Sequence, residues 1–232
     1  MRTENRKSSA AVIAGGRIDD DFALAFIRRT DPFLIAADRG LLFLERCGIE
    51  PDLLVGDFDS VPEGYLETYR AAHPGCEVRA FNWEKDDTDT EIAALAAAEL
   101  GYRKIDILGA TGSRLDHVLG GMQELGLLLK RGCRGTILDP CNRITLHEAP
   151  FSISRKEQWG TYVSFFAWGG AVTGLTLEGF HFPLKDFTLG NAGTLTVSNQ
   201  ISEAEGRVTF TSGQLLMIES RDEKREGPEY EI

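Results

Sequence analysis

The chain has 232 residues, of which 42% are hydrophobic and 26% are charged. This composition is typical of a globular protein with one large domain or two smaller ones, and it excludes a disordered chain. The formal net charge of -11 argues against nucleic acid and anionic membranes as partners, because clustered Lys and Arg bind phosphate backbones.

The cysteines and the N-terminal segment predict the cellular compartment. The four cysteines have no CxxC or metal-ligand spacing, which is typical of reduced thiols. Residues 1–9 are polar with no apolar segment after them, and no apolar run reaches transmembrane length. We therefore expect a cytoplasmic protein without a signal peptide or a membrane span.

The first half of the sequence alternates short apolar segments with longer helical ones. This alternation predicts a doubly wound, mostly parallel, Rossmann-like sheet. The predicted strands are 10–14, 33–37, 51–55, 77–81, 104–109 and 135–139. The predicted helices are 20–30, 41–47, 63–72 and 92–100, with a last one that ends near residue 130.

Two carboxylates follow the third predicted strand directly. Asp57 and Asp59 are spaced i, i+2, so on an extended chain both point to one side. Ligands of open α/β sheets bind at the carboxyl ends of strands, and Mg²⁺ is the usual partner of paired carboxylates. The alternative is a polar turn, since Gly56 and Ser60 are turn residues.

A second acidic cluster precedes the Ala-rich helix. Thr88 and Glu91 have the spacing of a capping box, and acids near a helix N-terminus are favoured by the helix dipole. Capping alone does not require the four acids of residues 86–91, so the cluster indicates a function as well.

A glycine-rich turn joins the fifth strand to the next helix and is a candidate phosphate site. The pattern is not a P-loop, because GxxxxGK[ST] is absent. Arg114 is the guanidinium that would meet phosphate charge, although a local ion pair between Arg114 and Asp116 is the alternative. The candidate nucleotide-binding residues are Gly109, Thr111, Gly112, Ser113 and Arg114.

The alternation of predicted strands and helices ends at Asp139-Pro140. Short β-like segments separated by Gly, Pro and Asn predict an all-β domain, either a sandwich or a partial barrel. The predicted strands are 144–147, 162–167, 171–177, 194–197, 207–211 and 215–220. We expect two domains, 1–141 and 142–232.

The motifs together resemble the thiamine pyrophosphokinase (thiamine diphosphokinase) family. The resemblance rests on the order of the motifs rather than on any one of them, and it extends over about residues 10 to 220. In chain order they are Ala-Asp-Arg-Gly at 37–40, Gly-Asp-Phe-Asp-Ser at 56–60, Lys-Asp-Asp-Thr-Asp at 85–89, Arg-Leu-Asp-His at 114–117, Val-Thr-Gly-Leu-Thr-Leu-Glu-Gly at 172–179 and Val-Ser-Asn at 197–199.

The resemblance implies an ATP- and Mg²⁺-binding α/β domain and a thiamine-binding β domain that also forms a homodimer. It also implies that thiamine binds where one subunit's α/β domain meets the other subunit's β domain. The implied reaction transfers the diphosphoryl group of ATP to the thiamine hydroxyl and releases AMP. The implied metal ligands are Asp38, Asp57, Asp59 and Asp89, and the implied catalytic residues are Asp89, Arg114 and Asp116. The implied thiamine contacts are Thr196, Ser198, Asn199 and Asp89.

Three residues depart from the family pattern. Arg39 replaces a usual glycine, Lys85 a frequent glutamine and Gly121 a frequent asparagine. These departures concern the finer nucleotide and thiamine contacts. Whether Asp89 or Asp116 orients or deprotonates the hydroxyl stays open, although a metal ligand is the poorer base.

Two other functions are compatible with the same residues. A Mg²⁺-dependent nucleotide phosphohydrolase could use the Asp-x-Asp turn without an acceptor. A non-catalytic nucleotide or ligand sensor could have the same two domains, although carboxylates held together against repulsion argue for catalysis.

Overall fold

The structure is a computed structural model and describes residues 7–56, 64–80, 87–112 and 114–223. The chain divides into two compact units, Met1–Pro140 and Cys141–Ile232. Among the described residues, no helix is both long and apolar enough to cross a membrane.

The first unit contains a six-stranded parallel sheet with the order β4-β3-β2-β1-β5-β6. The strands are β1 (Ala10–Ile13), β2 (Phe33–Ala37), β3 (Leu53–Gly56), β4 (Glu77–Ala80), β5 (Lys104–Leu108) and β6 (Arg134–Leu138). The helices are α1 (Asp20–Thr30), α2 (Gly40–Arg46), α3 (Tyr65–Ala72), α4 (Asp89–Glu99) and α5 (Leu115–Lys130).

The direction of winding reverses between β1 and β5. From β1 the chain builds outward through β2, β3 and β4, and β5 then pairs with the other side of β1. In an open α/β sheet the ligand crevice lies at this switch point, outside the carboxyl ends of the strands.

Helix α4 is the central helix of this unit and packs on β1, β2, β3 and β5. Thr88 is extended, with φ -73° and ψ 154°, and its side chain accepts the Glu91 N–H. The predicted cap is therefore confirmed. Five buried alanines allow α4 to lie close to the sheet.

The second unit is an antiparallel β structure with strand order β7-β12-β9-β11-β8 and β10 paired to β9. The strands are β7 (Asn142–His147), β8 (Phe151–Ser154), β9 (Tyr162–Glu178), β10 (Leu184–Leu189), β11 (Glu205–Thr209) and β12 (Ser212–Ser220). The predicted fold class, an α/β part with a parallel sheet followed by an all-β part, is confirmed.

Strand β9 organises the second unit because its two halves pair with different partners. Residues 162–173 pair with β12, and residues 172–178 pair with β10 and β11. Both halves contribute to one apolar core, which includes Phe165, Leu175, Val208 and Met217.

Two predictions within this unit were wrong. Residues 162–167 and 171–177 form one strand rather than two, because the backbone continues through Gly169 at φ 69°. The segment 194–197 is not a strand but enters a turn that includes Ser198 at φ 58°.

Candidate functional site

Backbone hydrogen bonds join the end of β1 to the end of β5 at the switch point. The Ala14 N–H donates to the Leu108 carbonyl at 2.8 Å, and the Gly16 N–H donates to the Gly109 carbonyl at 3.0 Å. A Cβ on Gly16 would lie 2.2 Å from the Gly109 carbonyl oxygen, so no larger residue fits without movement. Gly109 itself has φ 75°, a conformation that favours glycine.

A cavity of about 120 Å³ lies beside these glycines. Its wall combines backbone of the β1 end with side chains of α2 and two guanidinium groups, and the lining residues are Ala14, Gly15, Gly16, Ile18, Arg39, Leu42, Phe43 and Arg46. Arg46 donates to both carboxylate oxygens of Asp20, at 2.5 and 3.1 Å. Asp20 therefore neutralises the charge of Arg46, and Arg39 contributes the second guanidinium of the cavity wall.

Asp38 directly follows β2 and has an unusual backbone. Its φ of 46° lies in the left-handed region, and its N–H donates to the Val55 carbonyl of β3 at 2.9 Å. This bond brings Asp38 beside the end of β3, from which Asp57 and Asp59 continue. Strained non-glycine residues of this kind cluster at functional sites.

The predicted metal ligands lie partly outside the described residues. Asp57 and Asp59 are outside them, whereas Asp38 follows β2 and Asp89 begins α4. Within the described ranges, no three His, Cys, Asp or Glu side chains converge to hold a metal ion. Four carboxylates are a donor set that fits Mg²⁺, which prefers oxygen ligands, and the metal site stays a prediction.

The start of α4, where Asp89 lies, is anchored by α5. Thr88 Oγ donates to Glu124 Oε1 at 3.0 Å. Glu124 is only 4% exposed, and burial raises the pKa of its carboxyl to about 7. Its Oε2 atom has no hydrogen-bond partner among the described residues.

The predicted phosphate-binding turn follows β5. Gly109, Thr111 and Gly112 are described, whereas Ser113 is not. A Cβ on Gly112 would lie 3.5 Å from the backbone nitrogen of Arg17, so this turn lies close to the segment after β1. The turn and the two glycines after β1 therefore lie at the same switch point.

Arg114 and Asp116 form the local ion pair that was the alternative interpretation of these residues. Arg114 donates to the two Asp116 oxygens at 2.5 and 3.2 Å, and both side chains are more than 60% exposed. The hydrogen bond from Arg114 lowers the pKa of Asp116 below its usual range. The pair does not exclude phosphate binding, because both groups are open to solvent.

The predicted thiamine contacts lie in one turn of the second unit. Buried Thr196 donates to the Phe165 carbonyl at 2.5 Å. The buried Asn199 amide donates to the Phe182 carbonyl at 2.8 Å and accepts the Phe182 N–H at 3.0 Å. Ser198 is the exposed member of the three, so Thr196 and Asn199 hold the shape of the turn that presents it.

Sequence reasoning missed two parts of this site. Gly15 and Gly16 were not assigned to the site, although a double glycine directly after the first strand of a doubly wound sheet is a signal for the switch point. Glu124 was not singled out. An acidic residue on the apolar face of a helix is the signal that could have found it.

The comparisons with known proteins agree with this geometry. Family models for the thiamin pyrophosphokinase catalytic domain and for the thiamin pyrophosphokinase vitamin B1 binding domain match residues 27–137 and 150–215. A thiamine pyrophosphokinase of Bacillus subtilis (strain 168) is 34% identical over 188 residues, which is 81% of this chain and 87% of the relative.

Solved structures agree in fold and in extent. A crystal structure of thiamine pyrophosphokinase from Bacillus subtilis has a TM-score of 0.82 at 32% identity, and covers 92% of this chain and 99% of its own. The thiamin pyrophosphokinase of Geobacillus thermodenitrificans has a TM-score of 0.79 at 33% identity, with coverages of 92% and 97%. The chain, with both domains in order over most of its length, therefore belongs to the thiamine pyrophosphokinase family.

Proposed function

We propose that this chain makes thiamine diphosphate and AMP from thiamine and ATP, with Mg²⁺, as a cytoplasmic homodimer. The observation that carries the proposal is that both family domains are present in order, in a chain whose first unit has polar and glycine-rich turns at the switch point. Transfer to thiamine follows from the family. ATP, Mg²⁺, the dimer and the compartment are proposals.

In this proposal, Asp38, Asp57, Asp59 and Asp89 hold Mg²⁺ at the carboxyl ends of the strands. Bound there, the ion would neutralise charge on the phosphate oxygens and on the leaving AMP. The backbone bond between Asp38 and Val55 supports the proposal, because it holds one acid beside the strand that leads to two others.

Arg114 and the turn at Gly109, Thr111, Gly112 and Ser113 would bind the phosphates. Backbone N–H groups and a guanidinium position the chain of phosphates so that the thiamine hydroxyl approaches the β-phosphorus in line. Once Arg114 binds phosphate, it no longer holds down the pKa of Asp116 to the same extent. Asp116 would then be the better base, because a carboxylate whose oxygen binds a metal ion accepts a proton less readily.

Thiamine would bind at the turn that contains Thr196, Ser198 and Asn199. The first and last of these already bond to backbone, which leaves the exposed Ser198 hydroxyl to meet the substrate. Rigid presentation of a polar group from a packed β core favours specific recognition of a small ligand.

Phosphorus NMR of ATP incubated with the chain tests the proposal. We expect AMP and thiamine diphosphate only when thiamine and Mg²⁺ are both present. Inorganic phosphate formed without thiamine would instead indicate a phosphohydrolase. ATP binding without consumption under any condition would indicate a sensor, and either result overturns the proposal.

A further inference from the structure

The contact between Thr88 and Glu124 joins two helices at the residue before a predicted site aspartate. Thr88 precedes Asp89 in sequence and ends the extended segment that leads into α4. Glu124 lies in the second half of α5, 36 residues away in the chain. The contact is therefore tertiary and does not belong to the local cap of α4.

The hydrogen bonds of Thr88 fix its side chain completely. Its hydroxyl oxygen accepts the Glu91 N–H at 3.1 Å, and its proton goes to Glu124 Oε1 at 3.0 Å. Its backbone carbonyl accepts the Ile92 N–H at 3.0 Å. With its donor and its acceptor both used, the Thr88 hydroxyl ties the first turn of α4 to α5.

A carboxylate at this position is costly for folding alone. Glu124 is 4% exposed, and in the described part of the chain its second oxygen has no hydrogen-bond partner. A buried polar atom without a partner destabilises a protein, and an apolar side chain of similar volume would pack here without that cost. The acceptor oxygen is what an apolar residue could not supply to Thr88.

We propose that Glu124 is a positioning residue that orients Asp89 through Thr88, and so sets the affinity of the reaction site for its divalent cation. This inference rests on the proposed function, in which Asp89 is a metal ligand. Residues that orient a metal ligand in this way typically change metal affinity or activity by about 10- to 100-fold when they are replaced.

Three substitutions separate positioning from general structure. Glu124→Gln keeps an acceptor oxygen for Thr88, and Glu124→Met removes only that acceptor. Thr88→Val removes the contact with Glu124 and also the cap bond from the Glu91 N–H. Glu99→Met is the matched control, because Glu99 ends α4 and is exposed.

The first measurement is independent of metal and of activity. Amide hydrogen exchange at Glu91 and Ile92 reports whether the first turn of α4 is held. We expect exchange about fivefold faster in Thr88→Val and faster also in Glu124→Met, with no change in Glu124→Gln or Glu99→Met. Because Thr88→Val also loses the local cap, Glu124→Met is the decisive variant, and unchanged exchange in it would overturn the inference.

The second measurement is AMP formation against Mg²⁺ concentration, with Mn²⁺ binding followed by electron paramagnetic resonance. We expect the cation concentration for half-activation to rise about tenfold in Glu124→Met and Thr88→Val. Combining the two should cost no more than Thr88→Val alone, because that variant already lacks the contact that Glu124→Met removes.

The outcomes are distinguishable. A wild-type chain that forms no AMP contradicts the proposed function. An active wild type whose contact-breaking variants keep its cation dependence contradicts the role of Glu124. If Glu124→Met does not fold, Glu124→Ala, which also lacks the acceptor oxygen, decides by the same measurements.

Discussion

Gly16 shows how closely the backbone is packed at the switch point. A Cβ at this residue would lie 2.2 Å from the Gly109 carbonyl oxygen, which is backbone and cannot rotate away. We expect Gly16→Ala to lower the free energy of unfolding by about 1–3 kcal/mol, as overpacking does. Gly120→Ala is the control, because the space around Gly120 is open and alanine stabilises a helix interior by about 0.5–1 kcal/mol. Urea unfolding measures both, and equal stability of the two variants would contradict the expectation.

The proposed Mg²⁺ site depends on the carboxylates of Asp57 and Asp59. We expect Asp57→Ala or Asp59→Ala to abolish AMP formation while the protein stays folded, because each removes a carboxylate that the proposed ion needs. Asp21→Ala, an exposed acid in the first turn of α1, should keep full activity. A coupled AMP assay, with circular dichroism to check folding, measures this. Near-normal turnover in both variants would remove the metal site from the mechanism.

The ion pair at the start of α5 makes a separate prediction. Arg114 is the main cause of the lowered pKa of Asp116. We therefore expect Arg114→Gln to raise the pKa of Asp116 toward its ordinary value, and the KM for ATP to rise as well. Carbon NMR of the Asp116 carboxyl measures the first effect, with Lys130→Gln at the other end of α5 as control. An Asp116 pKa that does not move would mean that another group lowers it.

At the scale of elements, the contact between α4 and α5 predicts a pH-dependent stability. Burial raises the pKa of Glu124 from 4.5 to about 7, so the folded protein holds this proton more tightly than the unfolded chain. The contribution of protonated Glu124 to the free energy of unfolding is fully present below pH 4.5. It is lost as the pH rises through about 7. The full loss is about 3 kcal/mol at 1.36 kcal/mol per pKa unit.

Urea unfolding at several pH values measures this effect. Glutamine does not titrate, so Glu124→Gln should lose less stability than the wild type between pH 4.5 and 8. The control is Glu99→Gln, whose pH dependence should match the wild type because Glu99 is exposed. Parallel curves for the wild type and Glu124→Gln would show that Glu124 titrates normally.

The helices and buried strands of the first unit were predictable because their signals are local. The predicted bounds of α1 were those observed, and the Thr88 cap was found from its spacing to Glu91. Strands β8 and β10 were missed, because β10 has exposed polar residues and a shifted register against β9. Such strands are specified by their partners and not by their own pattern.

The position of Asp38 at the end of β2 was predictable, because this residue follows the strand directly in sequence. Contacts between distant segments were not predictable. Gly16 and Gly109 are far apart in sequence, and only the pairing of β1 with β5 brings them together. Likewise, nothing in the sequence pairs Thr88 with Glu124, because helix packing selects which face of α5 meets α4.

For the whole molecule, the two units perform different tasks in the proposed reaction. The parallel sheet brings the segments after β1 and β5 together at the switch point, whereas the β unit presents one hydrogen-bonded turn. In the proposal, the first unit binds the phosphates of ATP, and the turn of the second unit binds thiamine. The resemblance implies that thiamine binds where one subunit's α/β domain meets the β domain of the other, so activity should require a dimer.

Dimer formation can be tested at Leu195, which is 64% exposed in the same turn as Ser198. Large exposed apolar side chains mark interaction surfaces, so we expect Leu195→Asp to shift the chain from dimer to monomer and to lower activity with it. Lys185→Asp is the control on the exposed part of β10 and should change neither. Sedimentation velocity over a concentration series measures the mass, and AMP formation at the same concentrations measures activity. Because a shared site is lost when subunits separate, activity per chain should fall on dilution together with the dimer fraction. A wild-type chain that is fully active as a monomer would contradict a site shared between subunits.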